Sequence, residues 1–252
     1  KSGVMFNGLV SATTEGTPQG GNLSPLLSNL YLTAFDRMLE ERGRKFVRYA
    51  DDCNIYVKSQ RAAERVMAGC KDYLEKKLKL TVNTAKSKVG SPLRLKFLGF
   101  SMYKVTKSIG IRPHAKAMDR FKGRLRQLTS RKQANSVSDI LSKLKRYTTG
   151  WLGYYSIGAM SSKMKQLNEW LRRRIRQIFW KQWKKPSARY ENLKRLGIDK
   201  SKAREWANSR RGYWRVARSW ILTRSLTNEY LVSIGYDDIV ERYEVLHSSY
   251  CT

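Results

Sequence analysis

Asp51 and Asp52 stand side by side between two short runs rich in β-branched and apolar residues, 46–50 and 53–58. That pattern predicts an antiparallel hairpin with two carboxylates at its tip. Adjacent carboxylates repel one another unless a cation neutralises them, and oxygen donors suit a hard divalent ion such as Mg²⁺. Asp is also a common turn former, so the dipeptide alone fits an ordinary Asp-rich turn. Upstream, Thr17-Pro18-Gln19-Gly20-Gly21 precedes a helix start at Ser24-Pro25. Gly20 and Gly21 allow backbone to approach a flat ligand such as a base pair, and Gln19 offers an amide. A plain loop before a helix reads the same way.

A second kind of chemistry is carried by cations. Arg172, Arg173, Arg174 and Arg176 interleave with Leu171, Ile175, Ile178 and Phe179. One helix face is then expected to pack while the other presents guanidiniums suited to phosphate oxygens. Lys181, Lys184, Lys185, Arg189 and Lys194 extend the run. A charge run is more often only a solvated face, but here acids do not balance it, which favours RNA contact. The whole chain of 252 residues holds 51 Lys+Arg against 20 Asp+Glu, a net charge of +31, and such a field points to a nucleic-acid partner. Up to Phe100 there are 17 Lys+Arg and 9 Asp+Glu, net +8; beyond it 34 and 11, net +23.

With 41% hydrophobic and 11% aromatic residues the chain has material for a core, which excludes a disordered basic tail. Cys53, Cys70 and Cys251 lack CxxC spacing and only two histidines occur, so neither a disulfide framework nor a zinc site is expected. The longest uncharged stretch, 147–162, is interrupted by Gly150, Gly153 and Gly158, so no membrane span is expected; nor is a signal peptide, and a cytoplasmic location follows. The chain opens on Lys1 rather than Met, which leads to the expectation of further protein upstream or on another chain.

These groups need elements to position them. Leu26, Leu27, Leu30, Tyr31, Ala34, Met38 and Leu39 recur at helical spacing until Gly43, predicting a buried helix over 25–41. Ser59 is set to cap a second helix with Ala63, Val66, Met67, Cys70, Leu74 and Leu78 inward. Residues 93–100 and 102–105 read as a further strand pair hinged near Gly99, with a boundary near 104–113. Beyond it, helices are predicted near 114–130, 137–148 and 162–185, the middle one opened by a Ser136/Asp139 capping box. Shorter helices follow, with stops at Gly197, Gly212 and Gly235. The fold class expected is α+β: an antiparallel sheet backed by helices, then an all-α region.

Four motifs occur in order. The runs Gly16-Thr17-Pro18-Gln19-Gly20-Gly21-Asn22-Leu23-Ser24-Pro25, Phe46-Val47-Arg48-Tyr49-Ala50-Asp51-Asp52, Leu80-Thr81-Val82-Asn83-Thr84-Ala85-Lys86-Ser87-Lys88 and Lys96-Phe97-Leu98-Gly99-Phe100 closely resemble the later motifs of reverse transcriptases. Tyr147-Thr148-Thr149-Gly150-Trp151-Leu152-Gly153-Tyr154-Tyr155 and the helix after Trp170 resemble the thumb, or maturase domain, of proteins encoded by bacterial group II introns. The run 203–214 is similar to the stretch that follows it in that family.

The resemblance implies a right-hand polymerase palm over 1–110, a helical thumb/maturase domain over 111–196, and over 197–252 a basic tail similar to the family's DNA-binding region. It implies that Asp51 and Asp52 bind catalytic Mg²⁺ in a two-metal site. A third aspartate, from an earlier strand, and the fingers would lie before Lys1, on the same precursor or a second chain. Pro18, Gln19, Gly20 and Gly21 would line the nascent base pair, Tyr49 and Ala50 the nucleotide and primer terminus. Lys86 would approach the triphosphate, with Lys88 nearby a solvated lysine pair being the plainer reading. Leu98, Gly99 and Phe100 match the primer grip, and Arg172, Arg173, Arg174, Arg176, Lys181, Lys184 and Lys185 would meet RNA. The implied function is RNA-directed DNA synthesis and assistance of splicing, with group II intron RNA, an RNA template, a DNA primer and dNTPs as partners. The competing reading is a splicing maturase without polymerase activity.

Overall fold

A computed structural model describes residues 3–6, 9–12, 22–106 and 108–251. The fold is α+β, small antiparallel sheets followed by a largely helical region, and the chain divides into two compact units after Phe97. Among the described residues no helix is long and apolar enough to cross a membrane.

In the first unit β1 (Gly3–Phe6) and β2 (Leu9–Ala12) pair antiparallel, Gly3 opposite Ala12 and Phe6 opposite Leu9. Helix α1 (Ser24–Glu41) has Pro25 in its first turn, where a missing N–H costs nothing, and Gly43 ends it at φ +61°. Strands β3 (Lys45–Tyr49) and β4 (Asp52–Tyr56) pair from Lys45 opposite Tyr56 to Tyr49 opposite Asp52. Helix α2 (Gln60–Asp72) starts at Ser59, whose side chain accepts from the Ala62 N–H, and runs into a π-helical turn, Tyr73–Lys77. The buried core is Phe35, Met38, Leu39 and Cys70, with Phe46, Ile55, Val66 and Leu74 packed against it. This core reaches only the C-terminal half of α1. Leu26, Leu27, Leu30 and Tyr31 are exposed, so the expectation of a helix buried throughout is corrected.

The second unit opens with a hairpin that the sequence pattern misplaces. β5 (Lys96–Phe97), two residues long, closes the first unit, and the hairpin of the second joins β6 (Phe100–Lys104) to β7 (Ile109–Pro113), Phe100 opposite Pro113. The region expected as a boundary is therefore a strand. Helices α3 (Ala115–Leu128), α4 (Val137–Tyr155) and α5 (Ser161–Gln182) follow. Ser136 caps α4 as expected: its Oγ accepts from the Asp139 N–H at 3.1 Å and donates to the Asp139 carboxylate at 2.7 Å. α4 continues through Gly150 and Gly153, because Leu144, Thr148 and Leu152 keep its inner face anchored. Gly158 ends the turn after it where a Cβ would meet the Pro113 ring at 2.8 Å, so only glycine lets this turn lie against β7.

Six helices complete the described chain: α6 (Pro186–Arg195), α7 (Lys200–Ala207), α8 (Tyr213–Val216), α9 (Trp220–Ser225), α10 (Asn228–Ser233) and α11 (Ile239–Cys251). Gly197 and Gly235 follow α6 and α10 at φ +82° and +101°, as helix-ending glycines do, whereas Gly212 opens α8. One core runs through this unit, from Phe121 and Leu125 through Met164, Leu171 and Ile175 to Leu193, Ile221, Ile239 and Tyr243. Packing is continuous across residue 196, because α8 and α11 lie on α5 and bury its flank.

Candidate functional site

The carboxylate pair sits where the sequence put it. Ala50 and Asp51 form the turn between β3 and β4, and Asp52 is the first residue of β4, opposite Tyr49. Both carboxylates are exposed, and so is Tyr49. Ala50 has φ +51°, in the left-handed region. For an L-residue that conformation costs about 1–2 kcal/mol and persists only where neighbours hold it.

The neighbour is Arg48. Period-two alternation along β3 turns Phe46 and Arg48 toward the packed side and Lys45, Val47 and Tyr49 outward. The Arg48 Nε donates to Asp36 Oδ1 at 2.7 Å, and Nη2 binds the other oxygen of the same carboxylate. Nη1 donates to Asn29 Oδ1 at 2.9 Å and to the Ala50 carbonyl at 2.8 Å. The bond to Asp36 holds the guanidinium pKa above its ordinary value. Strand alternation could have revealed this clamp: an inward arginine beside Phe46 demands an acid, and Asp36 and Asn29 stand on one face of α1, seven residues apart. Beside the clamp, burial pushes the Cys53 thiol up to about 11.

Oxygen donors from Asp51 and Asp52 fit a hard divalent ion as part of a ligand set. Among the described residues no third His, Cys, Asp or Glu joins them. Pro18, Gln19, Gly20 and Gly21 lie outside the described residues. Lys86 is exposed in a turn, its N–H bonded to Asn83 Oδ1 at 3.1 Å, with Lys88 exposed nearby.

Leu98, Gly99 and Phe100 make a tight turn leading into β6, with Leu98 at φ +49° and Gly99 at φ +81°. Two tyrosines at the end of α4, which sequence reasoning did not single out, hold it. The Tyr154 hydroxyl donates to the Leu98 carbonyl at 2.8 Å, and Phe100 packs on Tyr154 and Tyr155 with ring centroids 5.5 and 5.2 Å away. Stacking continues through Trp151 to Phe121 of α3.

The arginine run departs from expectation. Arg176 is buried and donates to the Leu226 carbonyl at 2.9 Å and to Asn228 Oδ1 at 3.1 Å. Arg174 donates to the Thr129 hydroxyl and to the carbonyls of Arg126 and Thr129. Arg173 lies 3.8 Å over the Trp214 ring and donates to the Trp214 carbonyl, while Arg172 reaches Asp238 at 3.4 Å. Lys181 donates to the Arg131 carbonyl. The expected geometry of an outward guanidinium face over 172–176 is thus corrected: α8 and α11 pack on α5, and its arginines bond the carbonyls of Arg126, Thr129, Trp214 and Leu226 and the carboxylate of Asp238. Burial lowers the pKa of Arg173, Arg174 and Arg176. Lys184 and Lys185, beyond the helix end, are exposed.

Comparison with known proteins bears on the whole arrangement. The family model for reverse transcriptase (RNA-dependent DNA polymerase) matches residues 5–102, and that for the group II intron maturase-specific domain matches 118–197. Protein YkfC of Escherichia coli (strain K12) is 35% identical over a region covering 35% of this chain and 32% of that protein. The group II intron-encoded protein LtrA of Lactococcus lactis subsp. cremoris is 46% identical over 19% of this chain and 8% of its own length. The matches thus span about a third or less of these relatives. One matched stretch carries the Asp51-Asp52 hairpin and the other the helices α3 to α6, and the chain belongs to the group II intron reverse transcriptase/maturase family.

Proposed function

We propose that this chain takes part in RNA-directed DNA synthesis and in splicing of group II intron RNA. The observation that carries the polymerase half is the Tyr49-Ala50-Asp51-Asp52 turn, with both carboxylates exposed at the end of an antiparallel pair and a clamped, left-handed Ala50 between the strands. Asp51 and Asp52 hold Mg²⁺ in this reading, and the metal supplies activation of the primer 3′ hydroxyl and charge stabilisation of the leaving pyrophosphate. Tyr49 and Ala50, with Pro18, Gln19, Gly20 and Gly21, line the nascent pair; Lys86 approaches the dNTP; Leu98, Gly99 and Phe100 brace the primer.

Two carboxylates do not enclose two ions, and a further acidic ligand is needed from outside the described residues. Val47 and Tyr49, exposed on a sheet that has two strands among the described residues, give the hairpin a face on which more palm structure can pack. Synthesis therefore depends on fingers and palm residues supplied with this chain. Residues 1–110 serve as palm, 111–196 as the intron-binding maturase domain, and 197–252 as a basic tail for DNA. The bacterial relatives support the bacterial cytoplasm as the place of work.

Primer extension on an RNA template, with the upstream region supplied, tests this reading. Asp51→Asn should abolish DNA synthesis and leave intron RNA binding nearly intact, because one carboxylate hardly alters a field of +31. Undiminished synthesis by Asp51→Asn would reject the assignment of that carboxylate, whereas no synthesis by the unchanged chain with the upstream region supplied would leave the maturase as the sole activity.

A further inference from the structure

We infer that Arg48 is the positioning residue of the carboxylate turn: anchored by Asp36 and Asn29 of α1, its guanidinium grips the Ala50 carbonyl and holds Asp51 and Asp52 in one geometry. The inference rests on the reading of that pair as the metal-binding carboxylates.

A two-residue hairpin turn needs at least one residue at positive φ to match the twist of its strands, and Gly, Asn or Asp usually supplies it. Here the positive position is Ala50, at φ +51°, which gains nothing from its own side chain. Something outside the turn must stabilise it, and among the described residues the side chain bonded to its carbonyl is that of Arg48, at 2.8 Å.

Arg48 can act as a fixed jig because its own position is over-determined. Its Nε and Nη2 bind both oxygens of Asp36, a planar fork on a planar acceptor, and Nη1 is shared between Asn29 and Ala50. Bidentate pairing sets the guanidinium plane as well as its distance, which a lysine ammonium cannot do. The Arg48 side chain is only 12% exposed and that of Asp36 only 23%, so the pair is partly shielded from water and salt. The linkage runs from helix α1, through Asp36 and Arg48, to the carbonyl directly before the first carboxylate. A shift of the Ala50–Asp51 peptide would swing Asp51 away from Asp52, and metal affinity is sensitive to groups that orient ligands without touching the ion.

The test uses two readouts on the folded chain. Selective ¹³C labelling of alanine reports whether Ala50 keeps its left-handed backbone, and Mn²⁺ serves as the metal probe, its affinity read by electron paramagnetic resonance. Arg48→Lys is expected to move the Ala50 shifts out of the left-handed range and to weaken Mn²⁺ binding about tenfold. In an Ala50→Gly background the same Arg48→Lys change should weaken Mn²⁺ by less than about threefold, since glycine adopts positive φ unaided. If Arg48→Lys does not fold, Asp36→Asn carries the same expectations. Unchanged Ala50 shifts in these variants would overturn the inference, and so would a loss of Mn²⁺ affinity that glycine leaves as large as before. Asp51→Asn separates the two ideas: Mn²⁺ binding undiminished by that change rejects the metal reading, while the Ala50 shifts still decide whether Arg48 sets the turn.

Discussion

The Tyr154 hydroxyl donates to the Leu98 carbonyl at 2.8 Å, so a tyrosine at the end of α4 grips a turn at the root of β6. Beside it, a Cβ on Gly99 would stand 2.5 Å from the Tyr155 hydroxyl. Leu98 and Gly99 both have positive φ, and a turn of that shape is held by what packs on it. The α4 tyrosines thus brace the Leu98-Gly99-Phe100 turn against the helix.

Gly99→Ala should therefore destabilise the protein by about 2 kcal/mol or more, since it adds a left-handed Cβ and a clash together. Tyr154→Phe should cost about 1 kcal/mol, the net value of one hydrogen bond. Urea unfolding measures both. If the turn braces a primer, Tyr154→Phe should also shorten the products of primer extension while leaving intron RNA affinity unchanged.

Arg176 and Lys184 look alike in the sequence and should behave oppositely. Arg176→Ala strips the buried Leu226 carbonyl and Asn228 of their donor and should cost about 2–3 kcal/mol. Lys184→Ala, at an exposed site, should stay within about 0.5 kcal/mol. Equal small effects in chemical denaturation would mean that the Arg176 bonds are not formed in solution.

Where local chemistry decides structure, the sequence was legible. Ser59, Ser136, Gly43, Gly197 and Gly235 act within one helical turn of themselves, and each cap or stop stands as expected. The Asp51-Asp52 hairpin was legible for the same reason. What escaped depends on partners far along the chain. Apolar spacing says that α1 has an inward face, but not that its core reaches only Phe35, Met38 and Leu39. The arginines of α5 read as an outward face because the carbonyls that claim them, at Thr129, Trp214 and Leu226, are forty or more residues away. Strand β7 was hidden by Gly110 and Pro113, which lie on a short edge ladder where breakers are tolerated.

Alkaline pH should destabilise the fold. Burial raises the Cys53 pKa from 9.0 to about 11 and pushes Cys70 and the buried Tyr236 phenol upward as well. An acid with a raised folded pKa binds its proton more tightly when native. Its contribution is complete below the unfolded pKa and is lost as pH rises through the folded one. The urea midpoint should hold up to about pH 8.5 and fall between about pH 9 and 11. A midpoint flat across that window would contradict the burial of these groups. Native Cys53 should likewise resist alkylation at about pH 8 and react once unfolded.

The RNA surface must be sought among cations that the fold leaves open to solvent. Helix α3 carries Lys116, Arg120, Lys122, Arg124 and Arg126 against one acid, Asp119, and all five are exposed. Arg120 and Arg124 stand one turn apart, which puts both on one side of the helix. Lys184 and Lys185 add two exposed charges after α5. Replacing Arg120, Arg124, Lys184 and Lys185 by alanine should weaken intron RNA binding and flatten its salt dependence, with the log–log slope falling by about 0.7–0.9 for each phosphate no longer neutralised. A parallel Arg173→Gln variant, which removes the charge, should leave the slope unchanged, because that guanidinium is committed to Trp214. An unchanged slope in the quadruple variant, with its thermal transition intact, would move the RNA surface off α3 and the end of α5. A slope reduced by Arg173→Gln alone would show that the inward arginines release their carbonyls when RNA arrives.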